Sequence, residues 1–409
     1  MQLLKNKNFS NLFLGRLLSN CGDTIYAIVL SWYILEYSNN AYWVGILNFL
    51  IFLPNVFSFI SGKVIDRFSK KKILILLEVT QCIAVTMITL SMFFMMKTSN
   101  KVALYSILFF AFIASIAGIN TYTVQDAFVP SIVKKEDLAQ SEIYMSIAYN
   151  GSEYLFSTIT GFLMSIFSYI NLLIVDIFSF ILSVHLFKKI DNIEVINEKN
   201  NEEGVNSLFS GISYIIKNKL LLLITLGSGL LNFLFAGLNI YQLLLSQQMG
   251  GAKYYGIIIA TASIGTLLGS SIVANFFIKI LTVGRVLCLF SLLFGISFSL
   301  ISFVTNPYVF ILIWFIAFIF LGITQVVQKP ILQSEIAKYR LGEVLGAFYT
   351  LTVSTLAVGS LFWGTITEIL SSRFFFLTFG LSYTIIAIIY FLNKKLNNYM
   401  PSSELEESV

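Results

Sequence analysis

The sequence predicts an all-α membrane protein with twelve transmembrane helices in two six-helix repeats, and three observations carry that expectation. The 409 residues are 57% hydrophobic and only 11% charged, whereas soluble domains run about 25% charged. Apolar runs of about 20 residues, the length that crosses roughly 30 Å of hydrocarbon, recur along the whole chain. The 26 lysines and arginines are also uneven: with twelve spans laid out in order, 22 fall in the loops of one side, the bias that orients a membrane protein.

Each element follows from those runs. Hydrocarbon offers the backbone no hydrogen-bond partner, so the spans must be helical. The first half reads as 11–36, 42–62, 73–96, 102–122, 141–166 and 169–187. The second half reads as 220–245, 254–278, 284–304, 307–328, 343–369 and 374–392. Residues 188–204, KKIDNIEVINEKNNEEG, mix both charges without apolar periodicity, as a solvated linker does. LFSGISYIIKNK (208–219) spaces its apolar residues at helical intervals and ends in lysines, which predicts an amphipathic helix on the membrane surface tethering the halves. The expected organisation is therefore a bundle at 1–187, a cytoplasmic linker at 188–219, a second bundle at 220–392 and a polar tail at 393–409.

The first apolar run is too long for a signal-peptide core and lacks a small-residue cleavage site. Cys21, Cys82 and Cys288 sit singly in apolar runs and predict neither a disulfide framework nor a zinc site. Basic residues in short loops, with no aromatic-interleaved basic face, exclude a nucleic-acid partner.

Only Lys97, Lys101, Lys253 and Arg373 lie on the sparse side, so both termini are expected in the cytoplasm and the protein in the cell membrane. Pro130 and Pro330 lie 200 residues apart, each placed after the fourth span of its half. Gly161 in one half and Gly359 and Gly364 in the other follow at similar distances, consistent with two copies of one unit.

Between spans 2 and 3 the chain reads Gly62, Lys63, Val64, Ile65, Asp66, Arg67, Phe68, Ser69, Lys70, Lys71, Lys72. This resembles the signature loop of the major facilitator superfamily, G-x-x-x-D-R-x-G-R-K-K, with Ser69 in place of the usual glycine. The opening of span 1, Asn11 to Asp23, together with Glu78 in span 3, is similar to the bacterial exporter branch that handles drugs, macrolides and siderophores. The resemblance implies the superfamily fold, a small-molecule substrate, alternating access and a gating role for Gly62, Asp66, Arg67, Lys71 and Glu78. Asp66 also has a physical reading of its own: an acid adds nothing to a basic orientation loop, but it can latch onto a cation or a helix N-terminus in one conformation and release it in another.

Charge near the bilayer centre costs at least about 2.5–3.5 kcal/mol, so ionisable residues inside spans are functional candidates. Asp23 and Glu153 each lie about 12 residues into their spans, roughly 18 Å deep, and are expected to share one cavity as a proton-coupling pair. Asp176 is placed in the outer half of span 6, facing the substrate cavity, and Glu78 near the cytoplasmic end of span 3. Arg16 lies near the inner surface, where it is able to snorkel, and Asp126, Glu36 and Glu368 read as interfacial. The second half has no Asp or Glu between residues 204 and 334. There Asn232 and Asn239, seven apart on one helix face, are candidate substrate contacts, and Gly265 and Gly269 read as a helix-packing pair.

These features predict a secondary active transporter, namely a proton-coupled exporter of an amphipathic small molecule. It is expected to act as a monomer in the lipid bilayer and to use a proton gradient and no cofactor. The alternative is a facilitator or importer of a metabolite such as a sugar or amino acid. With one histidine, no P-loop, no metal-ligand spacing and no nucleophile motif in context, the chain does not read as an enzyme.

Overall fold

Polar residues just outside the apolar runs set where the helices begin. In the computed structural model, which describes residues 3–57, 69–98, 101–134, 137–164, 166–191, 204–337 and 340–399, the Asn6 side chain accepts the backbone N–H groups of Asn8 and Phe9. This cap starts α1 (Lys7–Ser38) four residues before the apolar run. Asn39, in the left-handed conformation at φ 49°, ends it. The first half continues with α2 (Ala41–Val56), α3 (Lys70–Thr98), α4 (Lys101–Ile132), α5 (Leu138–Ser146), a π-helical turn at Ile147–Gly151, α6 (Ser152–Leu163) and α7 (Tyr169–Lys188).

The second half begins with α8 (Gly204–Lys217) and α9 (Lys219–Met249). Then come α10 (Ala252–Leu268), a second π-helical turn at Gly269–Val273, α11 (Ala274–Ile278), α12 (Val283–Ile301), α13 (Pro307–Ser334), α14 (Leu341–Ile366), α15 (Ser372–Leu392) and α16 (Lys394–Asn397). Asn218, Thr282, Asn306 and Ser371 cap α9, α12, α13 and α15 in the same way.

Among the described residues nine helical stretches are long and apolar enough to cross a membrane. The remaining three spans are α1, which carries Arg16, Asp23 and Glu36 among its apolar residues, the shorter α2, and the broken pair α5–α6. The twelve-span reading therefore holds. Pro130 and Pro330 fall inside α4 and α13, not after them. Each stands close to its helix end, where a missing N–H and a ring clash disturb only the last turn.

The chain forms two compact units, Met1–Asn39 with Ile46–Val205, and Asn40–Gly45 with Asn206–Val409. From Asn206 onward α8 clusters with the second unit. A Cβ on Gly211 would come within 2.7 Å of the Glu343 carbonyl oxygen, Ile215 is buried in that unit's core, and Arg340 donates to Ser210 Oγ at 2.6 Å while stacking over Tyr214 at 4.8 Å. Phe209 and Ile216 on the other face stay exposed.

Aromatic rings fill the core of the second unit. Phe294 meets Phe298 at 4.7 Å and Tyr383 at 4.5 Å, Phe298 meets Phe379 at 4.7 Å, and Tyr241 stacks on Phe375 at 4.2 Å. Such pairs add about 0.5–1.5 kcal/mol each beyond their buried area. Gly265 and Gly269 let α10 approach α13 as expected, with a Cβ on Gly265 only 2.7 Å from the Phe315 carbonyl oxygen. The first unit has an apolar core of its own around Phe9, Leu12, Leu74, Phe128 and Phe187, and buries polar side chains as well.

Candidate functional site: a polar ladder along the first helix

Residues 16, 19, 20 and 23 recur at intervals of three and four and so share one face of α1. That face is polar at every rung, and three other helices answer it.

At the lowest rung the buried Arg16 guanidinium pairs with Asp126 Oδ1 on α4 at 2.6 Å. It also lies 5.5 Å from the ring centres of both Tyr122 and Tyr149. Arg16 therefore does not snorkel to the surface: two aromatic faces and a carboxylate hold the cation inside.

One turn on, Ser19 Oγ donates to Glu78 Oε1 on α3 at 2.8 Å. Beside it Asn20 Nδ2 donates to Tyr149 O at 2.8 Å, to Ala148 O at 3.4 Å and to Ser152 Oγ. Those carbonyls belong to the π-helical turn, where the i→i−4 pattern is interrupted. The Asn20 amide supplies hydrogen bonds at the break.

At the top rung half-buried Asp23 accepts Gln81 Nε2 at 2.7 Å through Oδ1 and the Tyr122 hydroxyl at 2.7 Å through Oδ2. Thr121 Oγ1 donates to Gln81 Oε1 at 3.3 Å, which turns the amide so that its N–H faces the carboxylate. The Tyr122 hydroxyl is also 3.0 Å from Asn20 Oδ1. Among the described residues no cation bonds Asp23, and its hydrogen bonds there come from neutral donors.

The structure sorts the residues singled out in the sequence. It places Asp23 in this network but leaves Glu153, on the first turn of α6, exposed and without a hydrogen bond among the described residues. Glu153 follows Ser152, which Asn20 holds, so the two acids are linked through a neighbour and not by direct contact.

Glu78 is fully buried against Ser19, not near water at a helix end; counting residues from the start of a span gives depth but not which helix covers a side chain. Asp176 on α7 does not face an open cavity either: it is fully buried and packs where Gly22 lacks a side chain, a Cβ there coming within 2.5 Å of Ser179 Oγ and closer still to the Asp176 carboxyl.

Asn232 Nδ2 donates to Thr352 O at 3.0 Å, fastening α9 to α14. Asn239 is half-buried, with no hydrogen bond among the described residues. Lys71 is half-buried on the first turn of α3, and the adjacent Lys70 Nζ donates to Ala127 O at 2.8 Å. Gly62, Asp66 and Arg67 lie outside the described residues.

Sequence reading passed over Asn20, Gln81 and Tyr122. The available signal was a polar residue three positions from an already chosen acid, as Asn20 is from Asp23 and Gln81 from Glu78. Tyr122 gave none, since a tyrosine at a span end suits a membrane interface equally well.

Residues 2–407 match the family described as transmembrane secretion effector. The chain belongs to the major facilitator superfamily. It is a multi-pass membrane protein, and its relatives there are transporters and not enzymes. An MFS-type transporter of Bacillus subtilis (strain 168), YkuC, is 26% identical over 249 residues, an alignment covering 58% of this chain and 56% of that one, so the chain spans just over half the length of this relative.

Among solved structures, the nucleoside transporter NupG superposes with a TM-score of 0.75 at 15% identity, covering 96% of this chain and 99% of NupG. A bacterial homologue of the iron transporter ferroportin gives 0.71 at 16%, covering 95% and 99%. The human organic anion transporter MFSD10 gives 0.65 at 12%, covering 94% and 99%. At these identities the likeness is one of fold, the twelve-helix major facilitator fold.

Proposed function

We propose that this transporter exports an amphipathic small molecule in exchange for protons, with Asp23 as the coupling carboxyl. The observation that carries the reading is the Asp23 site itself: an acid inside a span, held by the Tyr122 hydroxyl and the Gln81 amide and paired with no cation among the described residues. An acid in hydrocarbon is costly and persists where it serves a task. Neutral donors suit that task, because they bind the carboxylate without a fixed positive charge that would compete with an incoming proton.

Protonation from the outer side and release inward would bias the two conformations in turn, which is what coupling requires. Glu153, exposed beside the same ladder, is the second acid of the proposed exchange, and Asn239 is the amide the second unit offers to substrate. Asp66 is assigned the conformational latch. The family description, a secretion effector, favours export. In this reading the protein works as a monomer in the cell membrane with both termini inside and no cofactor beyond the proton gradient.

Import of a metabolite is the competing reading, since NupG shares the fold. An efflux-deficient host expressing the chain, compared with an empty-vector control, separates the two when loaded with dyes, macrolides or siderophores. Lower accumulation of one class supports export, and higher accumulation reverses the direction. In proteoliposomes Asp23→Asn is expected to retain substrate exchange at equilibrium while losing accumulation driven by an imposed pH gradient, with Glu153→Gln similar or milder. Accumulation by both variants under a pH gradient alone refutes the coupling role.

A further inference from the structure

Beside the Asp23 rung lie polar groups that the exchange at Asp23 does not use. Glu78 and Asp176 are both fully buried. Glu78 Oε2 and both carboxyl oxygens of Asp176 have no hydrogen-bond partner among the described residues. The ion pairs found there, Arg16–Asp126, Arg340–Glu343 and Lys395–Glu335, involve neither acid.

Gln125 on α4 is a third, independent anomaly, fully buried with both its amide nitrogen and its amide oxygen unpartnered. Helices α3 and α4 run antiparallel, with Gln81 bonded to Thr121 and Ser91 to Ser106. One turn from the first of those pairs, Glu78 and Gln125 fall at the same level. A buried donor and acceptor left open at the level of a buried acid call for an explanation.

Ionisable groups that interact with one or both acids include Asp23, Cys21 and Tyr26 from α1 and Cys82 from α3, while Arg16, the cation of the ladder on α1, is held by Asp126. Ionised together, Glu78 and Asp176 would place two negative charges in the buried interior of the first unit, each costing several kcal/mol without a counter-charge. Space decides what neutralises them. A single Cβ on Gly22 would already collide with the Asp176 carboxyl and Ser179, and no group of three His, Cys, Asp or Glu that could hold a metal occurs among the described residues. A proton needs neither room nor a ligand shell.

We infer that Glu78 and Asp176 form a proton-holding station separate from Asp23, with Gln125 on α4 at the level of Glu78, so that the first unit binds exchangeable protons beyond the one on Asp23. Each event is a simple transfer: a proton adds to one carboxylate oxygen to give the acid, and its loss returns the carboxylate. The inference rests on the proposal that Asp23 couples transport to protons, because the station would load and unload through it.

Infrared spectroscopy of the purified protein in lipid, without substrate, tests it. The neutral wild type should show carboxylic-acid C=O bands of which Asp176→Asn removes one and Glu78→Gln another, and both should fade as the pH is raised. Ser19→Ala, which deletes only the hydrogen bond to Glu78, should shift the Glu78 band and leave the Asp176 band in place, which keeps the test open if Asp176→Asn fails to fold. Absence of both bands at neutral pH overturns the inference, and so do bands unresponsive to pH over the whole range in which the protein stays folded. Because no transport is measured, these spectra can fail while Asp23 coupling stands, and can succeed if it falls.

Discussion

The Tyr122 hydroxyl donates to Asp23 Oδ2 at 2.7 Å and sits 3.0 Å from Asn20 Oδ1, so one side chain of α4 ties together two rungs of α1. Its ring also lies 4.8 Å from that of Tyr149, on the π-helical turn, and 5.5 Å from the Arg16 guanidinium. Position and polarity of Asp23, the proposed coupling acid, thus depend on a residue that carries no charge.

Tyr122→Phe keeps the ring contacts and removes the hydroxyl. A hydrogen bond to a charged group is worth about 1.5–3 kcal/mol, so proton-driven transport should slow by about tenfold or more, at about 1.4 kcal/mol per decade. Initial rates in proteoliposomes measure this, with the thermal midpoint in detergent as control. A large drop in midpoint with unchanged rate would make the hydroxyl a packing element.

Gly22→Ala should destabilise the first unit by about 1–3 kcal/mol through overpacking, since the new methyl meets the Asp176 carboxyl and Ser179 Oγ. Gly346→Ala, where a Cβ meets nothing within 4 Å, is the matched control. Thermal unfolding should show a clear loss for the first and little change for the second.

Removing the partner of Arg16 leaves its buried guanidinium without a counter-charge. Asp126 is half exposed, so the loss from Asp126→Asn should be modest, about 1–2 kcal/mol, less than the 3–5 kcal/mol typical of a fully buried pair. Arg16→Lys should not rescue function, because a compact ammonium replaces a flat cation lying between two tyrosine rings. Unfolding and transport of both variants check this, and wild-type behaviour of Arg16→Lys would remove the rings from the account.

Topology is testable by labelling single cysteines in a Cys-free background with an impermeant thiol reagent. Lys253→Cys should label in intact cells and Lys217→Cys only after permeabilisation, as the uneven distribution of basic residues requires. The reverse pattern would invert the proposed orientation.

The fold was legible because hydrophobic run length is a one-dimensional property, and nine of the twelve spans needed only that. Span ends were read short where capping residues such as Asn6 and Asn218 extend a helix past its apolar run. The break within α5–α6 left no trace, since a π-helical turn changes hydrogen-bond register without changing composition. Asp23 was found by depth alone. Glu78, Asp176 and Asn232 stood out as polar residues inside spans, but what they do depends on which neighbour faces them, and Ser19, Gly22 and Thr352 come from elsewhere in the chain.

The π-helical turn at Ile147–Gly151 has one more consequence. A turn with i→i+5 bonding holds one residue more than the α-helix it replaces, and one residue of α-helix is a rotation of about 100° about the axis. Whatever stabilises that turn therefore sets the azimuth of every residue after it, Glu153 first among them. The Asn20 amide, clasping Ala148 O and Tyr149 O, acts as the set-screw of a dial: it touches no part of Glu153, yet it determines the compass bearing on which that carboxyl is presented.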